Sequence, residues 1–277
     1  MELAETITRM KVLRHSITGS IGFVPTMGYL HEGHLSLVKK AKAENSTVVV
    51  SIFVNPTQFG PTEDFKTYPR NLERDLSLLE KVHTDIVFIP SNKEIYPPEF
   101  NSWIEVQKLT DQLEGKSRPG HFKGVTTVVA KLLNIVGPTR AYFGQKDAQQ
   151  ALVIQKMVTD LNMNLDIVVS PTVREKDGLA MSSRNTYLHP QEREAATILF
   201  KALTRAQQMR EKGESKAKYL RQEIVSLIEK EPLATIEYIS IADAQTLEEL
   251  TKISKPALVS MAIRIGKTRL IDNIVLK

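Results

Sequence analysis

The chain has no cysteine among its 277 residues, which removes disulfide scaffolding, thiol nucleophiles and cysteine-bound metal together. Aromatic residues are scarce at 6%, too few to build a base-stacking platform easily. No apolar run approaches the length that spans a bilayer. The opening Met1-Glu2-Leu3-Ala4-Glu5 is acidic and carries no signal-type apolar segment, so the expected location is cytoplasmic. Runs of like charge are missing too. The 37 basic and 32 acidic residues are scattered and leave a net +5, which fits a small polyanionic substrate as well as nucleic acid. Neither Gly-x-x-x-x-Gly-Lys-Ser/Thr nor His-Glu-x-x-His occurs, so P-loop and zincin readings have no motif to rest on.

What is present is an ordinary folding composition, 42% apolar and 25% charged, long enough for one large domain and a smaller one. The most informative stretch is His31-Glu32-Gly33-His34. An apolar run, 21–25, reads as a strand before it, and Thr26-Met27-Gly28 as a turn. After it, Leu35, Leu37, Val38 and Ala41 fall at helical spacing. Two histidines three residues apart on the first turn of a helix share one face. Helix N-termini offer free N–H groups and partial positive charge to phosphate, and Gly28 and Gly33 clear room for close approach. The pattern points to a nucleotide site.

Up to about residue 172 the chain alternates as a parallel α/β sheet does. The β-branched run 47–54 suits a strand buried on both faces and ends in the loop Asn55-Pro56-Thr57-Gln58. Helices are expected over 71–82, 124–135 and 148–161, and strands over 86–89, 140–143 and 165–169. The segment 118–124 reads as a basic loop ahead of its helix. From residue 173 to 277 the pattern changes to two long charged helices, 190–212 and 216–230, followed by β-rich segments over 236–241, 257–265 and 268–274. The predicted fold class is therefore α/β, a Rossmann-like parallel sheet domain over 1–172 with a smaller α+β C-terminal domain over 173–277.

Loops beyond strand carboxyl ends gather ligands in open sheets of this type, and the polar loops lie there. In Gly144-Gln145-Lys146-Asp147, the lysine offers a point charge to phosphate and the aspartate a helix cap or a ribose contact. Met181-Ser182-Ser183-Arg184 offers two hydroxyls and a guanidinium for oxyanions. Asn55 and Gln58 are neutral groups suited to hydroxyls and carboxylates. Asp75 is a magnesium-ligand candidate, for an ion travelling with ATP. Each of these loops, taken alone, is equally at home as a solvated turn.

Their order and joint presence resemble the nucleotidyltransferase superfamily with a His-x-Gly-His motif, and within it the pantoate–β-alanine ligase family. The matching segments are 25–34, 50–60, 143–150 and 171–185, and the resemblance runs over nearly the whole chain. It implies an ATP-dependent condensation of pantoate with β-alanine through a pantoyl adenylate, releasing pyrophosphate and AMP. It singles out His34 as the acid and, with it, His31, Lys146, Ser182, Ser183 and Arg184 as catalytic. It implies ATP contacts along Met27, Gly28, Tyr29, Leu30, His31, Glu32, Gly33 and His34, along Gly144, Gln145, Lys146 and Asp147, and at Val173, Met181, Ser182, Ser183 and Arg184. Gln58 and Gln150 are implied for pantoate and Gln58 for β-alanine. The family often has Glu where Gln145 stands. The resemblance further implies Mg2+ with the nucleotide, a homodimer, a C-terminal domain that acts as a lid, and neither nucleic acid nor membrane as a partner. Another small-molecule adenylyltransferase, or a noncatalytic nucleotide binder, is separated from this reading by pantoate-dependent pyrophosphate exchange. Strongly salt-dependent nucleic-acid binding would mark the last of these.

Overall fold

The β-branched run does form a strand, Thr47–Ile52, at the interior of a six-stranded sheet. The computed structural model describes all 277 residues, and its chain falls into two compact units: Met1–Gln145 with Gln149–Pro171, and Lys146–Ala148 with Thr172–Lys277.

In the first unit the order is β1 (Glu2–Ala4), α1 (Ile7–His15), β2 (Ile21–Thr26), α2 (Glu32–Glu44), β3 (Thr47–Ile52), α3 (Leu72–Lys81), β4 (Ile86–Phe88), α4 (Asn92–Ile95), α5 (Leu113–Ser117), α6 (His121–Val136), β5 (Arg140–Gly144), α7 (Ala148–Asp160) and β6 (Asp166–Ser170). The strands lie β1-β4-β3-β2-β5-β6, all parallel. Successive residues feed two different apolar layers, as the pleat requires. Phe23, Val49, Phe88 and Phe143 enter one cluster; Val24, Val48, Val50, Val87 and Tyr142 enter the other. That is why these strands read as continuous apolar runs and not as alternation. Strand order reverses between β2 and β5, which are neighbours, so the turns that leave them open the crevice where such sheets take ligands.

One expectation needs correction here, and four elements come as additions. The segment 118–124 is not a solvated basic loop: Gly120 adopts φ +82° and α6 begins at His121, with His121, Phe122 and Gly124 buried. The edge strand β1 and the helices α1, α4 and α5 had no counterpart in the sequence reading.

The second unit contains α8 (Pro190–Ala195), α9 (Ile198–Glu211), α10 (Ala217–Ile228) and the antiparallel sheet β7 (Ala234–Asp243), β8 (Ala257–Ile265) and β9 (Thr268–Leu276), ordered β7-β8-β9. The helix expected over 190–212 is two helices. At the break the Thr197 hydroxyl donates to the carbonyl of Glu194 at 2.8 Å, the local bond with which threonine competes against helix continuation. Leu199, Leu203, Leu220 and Ile224 pack with Val259, Met261 and Ile263 in a separate apolar core.

Candidate active site

Beyond β2 the backbone makes a turn that needs bracing. Gly28 (φ +78°) and Tyr29 (φ +50°) are both left-handed, the second at a cost for a residue with a side chain. Thr26 closes one end, its hydroxyl donating to the carbonyl of Ser51 at 2.7 Å and accepting from the N–H of Gly28 at 3.2 Å. Asp75, from the first turn of α3, closes the other. Its two oxygens accept from the N–H groups of Tyr29 (2.7 Å) and Leu30 (2.8 Å), and it is 1% exposed. Burial pushes its pKa up against the pull of those two donors. Asp75, read from the sequence as a magnesium-ligand candidate, is thus occupied as the brace of the turn. No group of three or more His, Asp or Glu side chains is arranged to hold a metal ion.

The turn delivers the chain to α2 with His31 as N-cap and His34 at the third helical position. His31 Nδ1 accepts from the N–H of Gly33 at 3.2 Å, and His34 Nδ1 accepts from the N–H of His31 at 3.4 Å. This is a capping box in which imidazoles replace the usual hydroxyl and carboxylate. The ring centroids lie 4.1 Å apart. A ring nitrogen that accepts carries no proton, so the backbone sets both rings in the Nε2–H form. Two Nε2–H donors are thereby fixed at the positive end of a helix.

The loop after β3 carries Asn55, 1% exposed, which organises a 3-10 turn over Pro56–Gln58. Its Oδ1 accepts from Thr57 and from the Tyr96 hydroxyl (2.8 Å); its Nδ2 donates to the Gln58 Oε1 and to the carbonyl of Gly124, both at 3.1 Å. Gln58 Nε2 in turn donates to Met27 Sδ at 3.2 Å, which brings the β2 and β3 loops together. The contact of α6 with this turn depends on a missing side chain: a Cβ on Gly124 would stand 2.4 Å from the carbonyl oxygen of Thr57 and 2.7 Å from the N of Gln58. Gly124→Ala is expected to cost about 1–3 kcal/mol by overpacking and, if Gln58 holds pantoate as the family resemblance implies, to raise the pantoate KM, checked by thermal melts and steady-state kinetics.

Behind Gln58 lies a polar chain, buried at His121 and half-buried at Arg118 and Glu63, that the sequence reading missed. His121 Nδ1 stands 2.9 Å from the carbonyl oxygen of Gln58, and its Nε2 3.0 Å from Arg118 Nη1. Arg118 also forks onto Glu63, with Nε and Nη2 each 2.7 Å from a carboxylate oxygen. Burial, with the Arg118 charge beside it, pushes the His121 pKa down to about 4. Gln150 stands on the first turn of α7. Its neighbour Gln149 is buried and structural, bonding the N–H of Glu114 and the carbonyls of Leu109 and Gln112.

In the second unit, Lys146 and Asp147 lie in a 3-10 turn, Gln145–Asp147, and pair with each other at 3.7 Å. The backbone carbonyl of Lys146 accepts from Asn273 Nδ2 at 2.8 Å. Val173 and Met181 are joined by a backbone hydrogen bond of 3.0 Å across a narrow hairpin. The hairpin is pinned by Arg174, whose guanidinium forks onto Asp272 at 2.6 and 2.9 Å and donates to the carbonyl of Gly178 at 3.0 Å. Gly178 (φ +92°) lies against the ring of Phe200, where a Cβ would stand 1.9 Å away. Ser182 caps the 3-10 turn Ser183–Tyr187 through a bond from the N–H of Arg184, so the two serines and the arginine are carried on ordered backbone. Asp272 and Asn273 were not anticipated. The available signal was two adjacent polar residues between the apolar pairs Leu270-Ile271 and Ile274-Val275; they are 2% and 4% exposed.

Against known proteins, the family model described as Pantoate-beta-alanine ligase matches residues 2–275. The chain belongs to the pantoate–β-alanine ligase family. Curated relatives agree: the pantothenate synthetases of Roseiflexus castenholzii (56% identical, all of both chains) and Acetivibrio thermocellus (54%, all of both chains). Among solved structures, the pantothenate synthetase of Thermus thermophilus superposes with a TM-score of 0.95 at 44% identity, covering 99% of each chain. The pantoate–β-alanine ligase of Francisella tularensis, solved with β-γ ATP and β-alanine, gives 0.83 at 40%, covering 99% of this chain and 97% of the other. The chain is accordingly a carbon–nitrogen ligase of pantothenate biosynthesis, built on the Rossmann-like sheet and small C-terminal domain expected from its sequence.

Proposed function

We propose that this ligase joins pantoate to β-alanine in two steps through a pantoyl adenylate. In the first, a pantoate carboxylate oxygen attacks the α-phosphorus of ATP; the bond to the bridging oxygen breaks and pyrophosphate departs. In the second, the β-alanine nitrogen attacks the acyl carbon, AMP departs with the electron pair of the broken acyl–oxygen bond, and the nitrogen gives up a proton. The observation that carries the reading is the imidazole capping box at the start of α2, joined to family membership over residues 2–275.

The first step builds charge on phosphate oxygens, and donors fixed in advance lower such a barrier. His31 and His34, with the backbone of residues 27–33, are assigned to the nucleotide at that point. Lys146, Ser182, Ser183 and Arg184 are assigned to the triphosphate and leaving pyrophosphate. Gly144, Gln145 and Asp147, with Val173 and Met181, are assigned to the rest of the nucleotide. Gln58 and Gln150 are assigned to pantoate, with Gln58 also facing β-alanine. Magnesium enters with the nucleotide, as MgATP. Positioning and exclusion of water from the adenylate serve the second step, and residues 173–277 are assigned to that exclusion. By the same reading the enzyme is a cytoplasmic homodimer.

The test is ATP–pyrophosphate exchange. Label is expected to exchange only when pantoate is present, and added β-alanine to convert the bound intermediate to pantothenate and AMP. A folded, ATP-binding protein with no pantoate-dependent exchange would overturn the assignment.

A further inference from the structure

We propose that His121 is a positioning residue for pantoate, acting through the backbone carbonyl of Gln58; this rests on the assignment of Gln58 to that substrate. The geometry admits one protonation pattern. Arg118 has only N–H donors, so the His121 Nε2 at 3.0 Å from its Nη1 must accept. The proton of the neutral ring therefore sits on Nδ1, 2.9 Å from the Gln58 carbonyl, and donates to it. Arg118 Nη2 adds a longer contact to the same oxygen at 3.4 Å. Protonated His121 would set N–H against guanidinium N–H, so the ring works only while neutral, and its burial favours that form. The charged groups facing it are Arg118 and Glu114 from α5 and the residue after it, and Glu63 from the loop that follows the 3-10 turn.

The arrangement fixes Gln58 from both ends. Asn55 orients its side-chain amide by holding Oε1, while His121 holds its main chain. Gly124, three residues after His121 on α6, lets the helix come close enough for the bond to form. Glu63 holds the guanidinium of Arg118, which in turn holds the other side of the ring. A buried histidine that ties the Arg118 guanidinium to the one carbonyl of Gln58, the residue assigned to pantoate, serves placement of that residue's side chain.

The test compares three replacements by steady-state kinetics. Asparagine puts an amide N–H where Nδ1 stands; glutamine puts one where Nε2 stands; alanine supplies neither. His121→Ala and His121→Gln are expected to raise the pantoate KM about tenfold, the worth of one buried hydrogen bond, with kcat and ATP KM within about threefold of wild type. His121→Asn is expected to stay within about threefold throughout. In a Gln58→Ala background, His121→Ala should add little, because it acts through the missing side chain. If the alanine variant fails to fold, the asparagine and glutamine variants decide. Equal pantoate KM values in those two would overturn the proposal, as would an unchanged KM in folded His121→Ala alongside a raised one in Gln58→Ala. An unchanged KM in Gln58→Ala itself overturns the assignment of Gln58 and this inference with it.

Discussion

His34→Ala is expected to lower pantoate-dependent ATP–pyrophosphate exchange by about two to three orders of magnitude, the loss typical of removing a fixed donor from developing charge. It should leave the protein folded. The substitution orphans one helix-start N–H, that of His31, for which capping data suggest a cost of about 1 kcal/mol. The discriminating variant is His34→Gln, whose amide can offer an N–H near the Nε2 position but cannot relay a proton at neutral pH. Transfer of a carboxylate to phosphorus with loss of pyrophosphate needs no obligatory proton transfer. Held in the Nε2–H form by the backbone, His34 is set to donate a hydrogen bond. His34→Gln should therefore retain at least tenfold more exchange than His34→Ala. Equal, near-complete loss in both would restore the role of acid that family resemblance suggests. Near-wild-type exchange in a folded His34→Ala would remove His34 from the chemistry.

The placement of the two histidines was legible in the sequence because it rests on local pattern: an apolar strand, a glycine turn and a helical stripe, all within 21–41. What supports them was not. Asp75 braces the turn from 45 and 46 residues away, and nothing around it distinguishes a carboxylate that caps backbone N–H groups from one that binds metal. The same holds for His121, which sits behind Arg118-Pro119-Gly120. Proline and glycine there mark a turn correctly, yet the left-handed Gly120 starts a buried helix at once. Periodicity finds elements that bury one face. It cannot find a polar side chain whose partner is a main-chain group far along the sequence. The split of 190–212 has a different, local origin: the Thr197 hydroxyl bonds a carbonyl three residues back, in a stretch of good helix formers whose apolar period runs on through the break.

Asp272→Ala is expected to destabilise the second unit by about 3–5 kcal/mol, the cost of stranding a largely buried guanidinium. Arg174 and Asp272 side chains are 18% and 1% exposed, and their fork is the tie between strand β9 and the hairpin that leads to Ser182, Ser183 and Arg184. Asp272 Oδ1 also accepts from the N–H of Asn273, whose side chain holds the carbonyl of Lys146. One carboxylate thus supports both segments assigned to the triphosphate. Hydrogen exchange resolved by segment should show lost protection over 173–187 and 257–276, with the first unit little changed. Loss of adenylate formation should follow. The Arg174 guanidinium also lies over the Phe200 ring, its carbon 4.4 Å from the centroid, a cation–π contact beside the ion pair. The double replacement Arg174→Met with Asp272→Leu should recover much of the stability, because no unpaired charge remains, while leaving the hairpin without its directional bonds. Restored protection with pyrophosphate exchange still impaired would show that the ion pair shapes the phosphate loop. Restored exchange as well would reduce the pair to a structural tie that apolar packing can replace.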